Sequence, residues 1–160
     1  MRRPPAHRVA VAALGHSDRG DDAVGILVAE ALRGLLPEDV PVLFGNGDAL
    51  SLLDRWSDRD ALVCVDACAS MGEPGRVHRL DLSIDPLPPG GIATSSHTLG
   101  LAEAIALSHV LRLAPRKVIV YAIEGRCFDP GAEPTPEVAA AVAPVARGVA
   151  REVARLRQAI

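Results

Sequence analysis

Three side chains of this chain, those of Asp22, Asp66 and His97, carry oxygen or nitrogen donors whose chemistry is that of a metal or proton-transfer site. Residues 15–22 read Gly-His-Ser-Asp-Arg-Gly-Asp-Asp. The spacing copies G-x-x-x-x-G, but a phosphate cradle needs Lys and a hydroxyl after the second glycine, whereas Asp21 and Asp22 would repel an anion. The loop suits a cation or hydrogen-bond donors. One carboxylate is enough to cap the helix that follows, a role worth up to about 2 kcal/mol, and the second invites a functional reading. The dinucleotide pattern G-x-G-x-x-G is absent, which counts against NAD or FAD.

Asp66 closes the otherwise apolar run Ala61-Leu62-Val63-Cys64-Val65. A carboxylate at the carboxyl end of a central parallel strand lies where open α/β sheets bind their ligands, although a turn-forming role suits it equally. His97, in Ser95-Ser96-His97-Thr98, falls in the first turn of the next helix on the same edge, where a lone histidine is more often a surface residue. Asp22, Asp66 and His97 come from separate elements yet are expected at one rim of the sheet. Two carboxylates and an imidazole make a ligand set for a divalent ion that keeps open positions. Cys64 and Cys68 form a single C-x-x-x-C without a second pair, so a core thiol and a loop thiol is the better reading than a zinc site. Cys68 with His97 as nucleophile and base is a minor alternative. His7, His78 and His109 are read as surface residues.

The elements that must position these residues alternate short β-branched runs with stretches of helical period, the signature of an α/β domain with a mostly parallel sheet. Strands are predicted at 8–14, 41–45, 61–66 and 117–123, and an antiparallel edge strand at 76–82. The first helix carries Val24, Leu27, Ala31 and Leu35 at helical spacing, with Asp21 and Asp22 in its first turn. A short helix is expected at 49–56. Another, capped by Ser95 or Ser96, turns Leu101, Ile105 and Leu111 inward. The last begins at Thr135 and Pro136 and carries Val138, Val142, Val145, Val149, Val153, Leu156 and Ile160 as one stripe, with Pro144 expected to kink it.

The chain has 160 residues, 49% of them hydrophobic, and at this length one domain spanning 1–160 is expected. With 17 Lys+Arg against 20 Asp+Glu there is no basic stripe for a phosphate backbone and no polybasic segment for a membrane surface. The apolar runs fall far short of the ~20 residues that span a bilayer. Residues 1–8 lead to no small-residue cleavage site, so a cytoplasmic protein is expected. Three cysteines in a chain long enough to build its own core argue for reduced thiols.

Gly15-x-x-x-x-Gly20-Asp21-Asp22-x-x-Gly25, the strand ending in Asp66-Ala67, Ser96-His97-x-x-Gly100-Leu101, Tyr121-Ala122-Ile123-Glu124 and Thr135-Pro136-Glu137-Val138 together resemble, in order, the hydrogenase maturation proteases. The resemblance covers nearly the whole chain. It implies a three-layer α/β/α sandwich and an endopeptidase that removes the C-terminal extension of a nickel-iron hydrogenase large-subunit precursor after nickel insertion. It also implies that Asp22, Asp66 and His97 bind metal, recognising nickel carried by the substrate, although another divalent cation would suit the same donors. A water polarised by metal or activated by Asp22 or Asp66 would attack the peptide bond. The chain departs from the family at His16, where Asn is usual, and at Gly125, where Pro is common. Two other readings use the same residues: a metal-dependent small-molecule hydrolase, and a non-catalytic chaperone that handles metal or binds the precursor. A monomer is the default expectation.

Overall fold

The computed structural model describes residues 7–45, 49–83 and 101–159. Ser95, Ser96, His97 and Ile160 lie outside them. Five strands, β1 (Val9–Leu14), β2 (Val42–Gly45), β3 (Ala61–Cys68), β4 (Val77–Asp81) and β5 (Lys117–Glu124), form one sheet in the order β2-β1-β3-β5-β4. All neighbours run parallel except β4, which pairs antiparallel with β5 at the edge, as expected. β1 and β3 are buried at every residue. That is why they read as continuous Val/Ala/Leu runs rather than alternating ones.

Helices α1 (Val24–Ala31), α2 (Leu53–Trp56), α3 (Leu101–Val110) and α4 (Pro136–Ala159) cover both faces. Successive side chains of a strand point to opposite faces. Val9, Val11, Val63, Val65, Ile119, Tyr121 and Ile123 therefore pack with Val24 and Val28 of α1 and with Val138, Val145, Val149, Val153 and Leu156 of α4. Ala10, Ala12, Leu62, Cys64, Val118, Val120 and Ala122 pack with Leu53 and Trp56 of α2 and with Leu101, Ala104 and Ile105 of α3. The result is the expected α/β/α layering. α4 continues through Pro144 without ending there.

Three local expectations are corrected. The segment after the first loop starts as a 3-10 turn, Gly20–Ala23, before α1 begins. α1 ends at Ala31, so Leu35 falls in the following turn, with Gly34 at φ 79°, and is half exposed instead of facing the core. Leu111 is likewise exposed, because α3 stops at Val110 and the left-handed Arg112 (φ 57°) turns the chain away.

The chain leaves β1 for β2 on one side and returns to place β3 on the other. The strand order thus reverses between β1 and β3, and in open α/β sheets the crevice beyond the carboxyl ends of two such strands is where ligands bind.

Candidate functional site

The loop after β1 and the start of α1 are fitted to that crevice by glycines. Gly15 has φ 122°, and a Cβ on it would lie 2.0 Å from the Asp22 carbonyl oxygen, so only glycine lets the chain fold back against Asp22. Gly25, in the first turn of α1, sits so close to the sheet that a Cβ would come within 2.3 Å of the Leu14 carbonyl oxygen and 2.8 Å of that of Val65. The helix start is therefore pressed onto the ends of β1 and β3 together, and this contact carries Asp22 to the rim beside Asp66.

The two adjacent carboxylates divide their work. Asp21 is buried and accepts from the backbone N–H groups of Thr135 (2.6 Å), Arg126 (2.7 Å) and Cys127 (3.1 Å), and from the Thr135 hydroxyl. It ties the 3-10 turn to the loop between β5 and α4. Burial alone would raise its carboxyl, but the N–H donors of Arg126, Thr135 and Cys127 outweigh that and hold it below the ordinary aspartate range. Thr135 stands just before α4 as expected, and its carbonyl accepts the first helical bond, from Ala139. Its hydroxyl, however, donates to Asp21.

Asp22 is also buried, with only 2% of it exposed. Its Oδ2 accepts the His16 backbone N–H at 2.9 Å and lies 2.9 Å from His16 Nδ1. A carboxylate oxygen accepts, which puts the ring proton on Nδ1 when Asp22 is ionised. His16 thus holds Asp22 in place.

Asp66 does not end β3, as the sequence suggests; pairing continues through Ala67 and Cys68, opposite Ile123 and Glu124. It is 3% exposed, shares a sheet face with Cys64 and Cys68, and its Oδ1 accepts the Ala67 N–H at 2.8 Å. Burial first, and the charge of Asp22 second, push its carboxyl up to about 8. Asp22 and Asp66 are thereby coupled electrostatically across the strand-order reversal.

Cys68 next to this pair is buried, and burial together with the Glu124 and Asp66 charges pushes its thiol up to about 11. The thiolate is the nucleophile, so Cys68 is unsuited to that role at neutral pH. All three cysteines are free thiols.

Glu124, at the end of β5, is a buried carboxylate to which the residue-by-residue reading gave no role. It accepts from His78 Nε2 at 2.7 Å and from the N–H groups of Met71 (2.6 Å) and Glu73 (3.2 Å). These contacts, His78 foremost, hold it below the usual glutamate range. His78 is therefore the partner of a buried acid and not a bare surface residue. The signal was available: like Asp66, Glu124 is a carboxylate that follows an apolar run on a parallel strand.

Among the described residues no group of three or more His, Cys, Asp or Glu side chains is arranged to hold a metal ion. Asp22 and Asp66 supply two carboxylates on one rim, and His97 lies outside the described residues. The pair suits a divalent cation by its chemistry, since two carboxylates on one rim are hard oxygen donors and a positive charge between them offsets the Asp22 charge that helps raise the Asp66 carboxyl. No helix of the described residues is long and apolar enough to cross a membrane.

A family model described as hydrogenase maturation protease matches residues 26–152, a stretch that includes Asp66 and His97. The hydrogenase 2 maturation protease of Escherichia coli K12 is 30% identical over 141 residues, covering 86% of this chain and 85% of the relative. Among solved structures, the hydrogenase maturating endopeptidase HybD from E. coli superposes with a TM-score of 0.76 at 25% identity, over 92% of this chain and 93% of the other. The [NiFe] hydrogenase maturation protease HycI from Thermococcus kodakarensis KOD1 shares the fold with a TM-score of 0.72 at 24% identity, over 93% and 94%.

Proposed function

This chain belongs to the hydrogenase maturation protease family and is an endopeptidase, and we propose that it removes the C-terminal extension of a nickel-iron hydrogenase large-subunit precursor after nickel has been inserted. The observation that carries this reading is the placement of Asp22 and Asp66, two buried and mutually coupled carboxylates, at the crevice where the strand order reverses. The nickel in this reading arrives with the precursor, as part of the substrate. Asp22 and Asp66 offer it oxygen ligands and His97 a nitrogen, and any other divalent cation of similar preference would suit the same set. A precursor without metal would lack these ligand bonds to the two carboxylates, and binding would be weaker. The protease would in this way test for metal before it cuts.

Hydrolysis needs one group to take a proton from the attacking water and one to protonate the leaving amine. Metal ligation requires ionised carboxylates, so the proton that Asp66 holds up to about pH 8 in the metal-free protein leaves when the loaded precursor binds. Asp22, steered by His16, or Asp66 takes the water proton as the oxygen bonds to the carbonyl carbon, and the same carboxyl gives it to the amine nitrogen as the C–N bond then breaks. A small-molecule hydrolase and a non-catalytic chaperone are disfavoured by the family membership. The chain is proposed to act in the cytoplasm, as a single domain over residues 1–160 and as a monomer, in keeping with its free thiols.

The test is to incubate the purified protein with nickel-loaded and nickel-free precursor and to weigh the products. Loss of a C-terminal peptide from the loaded form alone is expected. Intact precursor in both cases sinks the proposal, and equal cleavage of both sinks the metal recognition.

A further inference from the structure

The sheet has two edges, and they are built differently. β4, at one edge, reads Val-His-Arg-Leu-Asp, with charged or ionisable side chains at 78, 79 and 81. Charges on an edge strand discourage a further strand from pairing there. β2, at the other edge, reads Val-Leu-Phe-Gly, with no charge and no proline within the strand. Phe44 is 49% exposed and Val42 is partly exposed, while Leu43 and Gly45 are buried.

The ladder register says which backbone groups this edge presents. The Pro41 carbonyl accepts from Val11 at 3.0 Å and the Gly45 carbonyl from Gly15 at 3.2 Å, with Val42 opposite Val11. In a parallel pair the bonding residues of one strand alternate, so residues 41, 43 and 45 face β1 and the N–H and C=O groups of Val42 and Phe44 face outward. Among the described residues, neither makes a backbone hydrogen bond outside the sheet. An unguarded apolar edge of this kind is a template for an extended peptide.

Its position fits the substrate. β2 lies next to β1, whose carboxyl end leads into the loop that carries Asp22, and the Gly15–Gly45 bond joins the end of the edge strand to the start of that loop. We propose that the β2 edge receives an extended segment of the precursor's C-terminal region as an additional strand, paired through Val42 and Phe44, with an apolar or β-branched side chain against the Phe44 ring. This inference rests on the endopeptidase reading of the site. A strand docked there is three inter-strand steps from β3, about 14 Å, which about four to five extended residues span. The docked segment therefore lies about four to five residues from the bond that is cut. A second copy of this chain is a poorer occupant, because a four-residue edge is too short to hold a stable dimer by itself.

The test is backbone amide hydrogen exchange on the whole wild-type chain, with and without nickel-loaded precursor, together with processing kinetics. Slowed exchange at Val42 and Phe44 on adding precursor is expected. So is a KM raised about three- to tenfold by Phe44→Pro, as for the loss of one net hydrogen bond, with kcat within about twofold because that proline removes only an outward N–H. Phe44→Lys, which guards the edge without touching the β1 ladder, should raise KM in the same direction and serves if the proline variant misfolds. Normal processing with unchanged exchange at both amides overturns the docking site and leaves the protease reading intact. Protection that grows with protein concentration in the absence of precursor overturns it in favour of self-pairing. Absence of any processing by the wild type defeats the protease reading, and the inference with it.

Discussion

Asp22 and Asp66 reach the same rim from either side of the strand-order reversal, and the charge of Asp22 adds to burial in raising the Asp66 carboxyl to about 8. Because burial is the larger cause, Asp22→Asn should lower the Asp66 midpoint without returning it to the unfolded value of 3.8. The sign for stability follows from linkage. Folded Asp66 binds more proton than unfolded Asp66 between about 4 and 8, so the metal-free protein loses stability as pH rises through that window. Asp66→Asn should flatten this decline. Carboxyl NMR titration reads the midpoint and urea unfolding at pH 5 and pH 8 reads the slope; an Asp66 midpoint near 4 in the wild type would refute the coupling.

Asp21 behaves in the opposite sense. Its carboxyl is held low by Arg126, Thr135 and Cys127 N–H donors, so its contribution to stability is complete above the ordinary carboxylate range and is lost as pH falls through its lowered value. Asp21→Asn turns an amide NH2 toward at least one buried donor, at a cost of about 1–3 kcal/mol. Thermal unfolding near pH 7 should show a lower Tm, with the gap between variant and wild type closing in strong acid.

Gly25→Ala sets two effects against each other. Alanine is the better helix former by about 1 kcal/mol, but its Cβ would stand 2.3 Å and 2.8 Å from two backbone carbonyl oxygens that cannot rotate away. Overpacking costs about 1–3 kcal/mol and should win. The variant is expected to unfold earlier and, because Asp22 is carried by the displaced helix start, to process precursor more slowly than its remaining folded fraction would account for.

The edge strand β4 is fastened by Glu152 of α4, which accepts Arg79 through Nε at 2.9 Å and Nη2 at 3.0 Å, and also the Tyr121 hydroxyl at 3.2 Å. Glu152→Ala removes the acceptor from all of these donors and should cost about 1–3 kcal/mol. Amide exchange should quicken first along Val77–Asp81. Unchanged exchange there would mean that the β5 ladder alone holds the strand.

Much of this fold was legible because its strands are buried on both faces and therefore stand out as apolar runs. β1, β3 and β5 lie where Val, Ile, Leu and Ala cluster, and the α4 stripe is buried at Val138, Val145, Val149, Val153 and Leu156. Ends were less legible. Leu35 and Leu111 keep the helical period, but a left-handed residue just before or after each turns the chain out of the helix, and periodicity does not register that. At the site, Asp66 and Asp22 could be found because a charge at the rim of an apolar sheet is conspicuous. The division of labour between Asp21 and Asp22 could not, since it depends on the N–H groups of residues 126, 127 and 135, more than 100 positions away. His16 and Glu124 were visible as residues, but their roles depend on contacts made only in the folded chain.

The claim on which everything turns is that Asp22 and Asp66 act together on a precursor that brings its own metal. The decisive measurement is the mass of nickel-loaded large subunit after incubation with Asp22→Asn and Asp66→Asn, each first confirmed by circular dichroism and Tm to be folded. Both variants should leave the C-terminal extension in place, with processing slowed at least about a hundredfold, as for loss of a general acid or base. Either folded variant trimming the precursor at the wild-type rate would contradict the assignment.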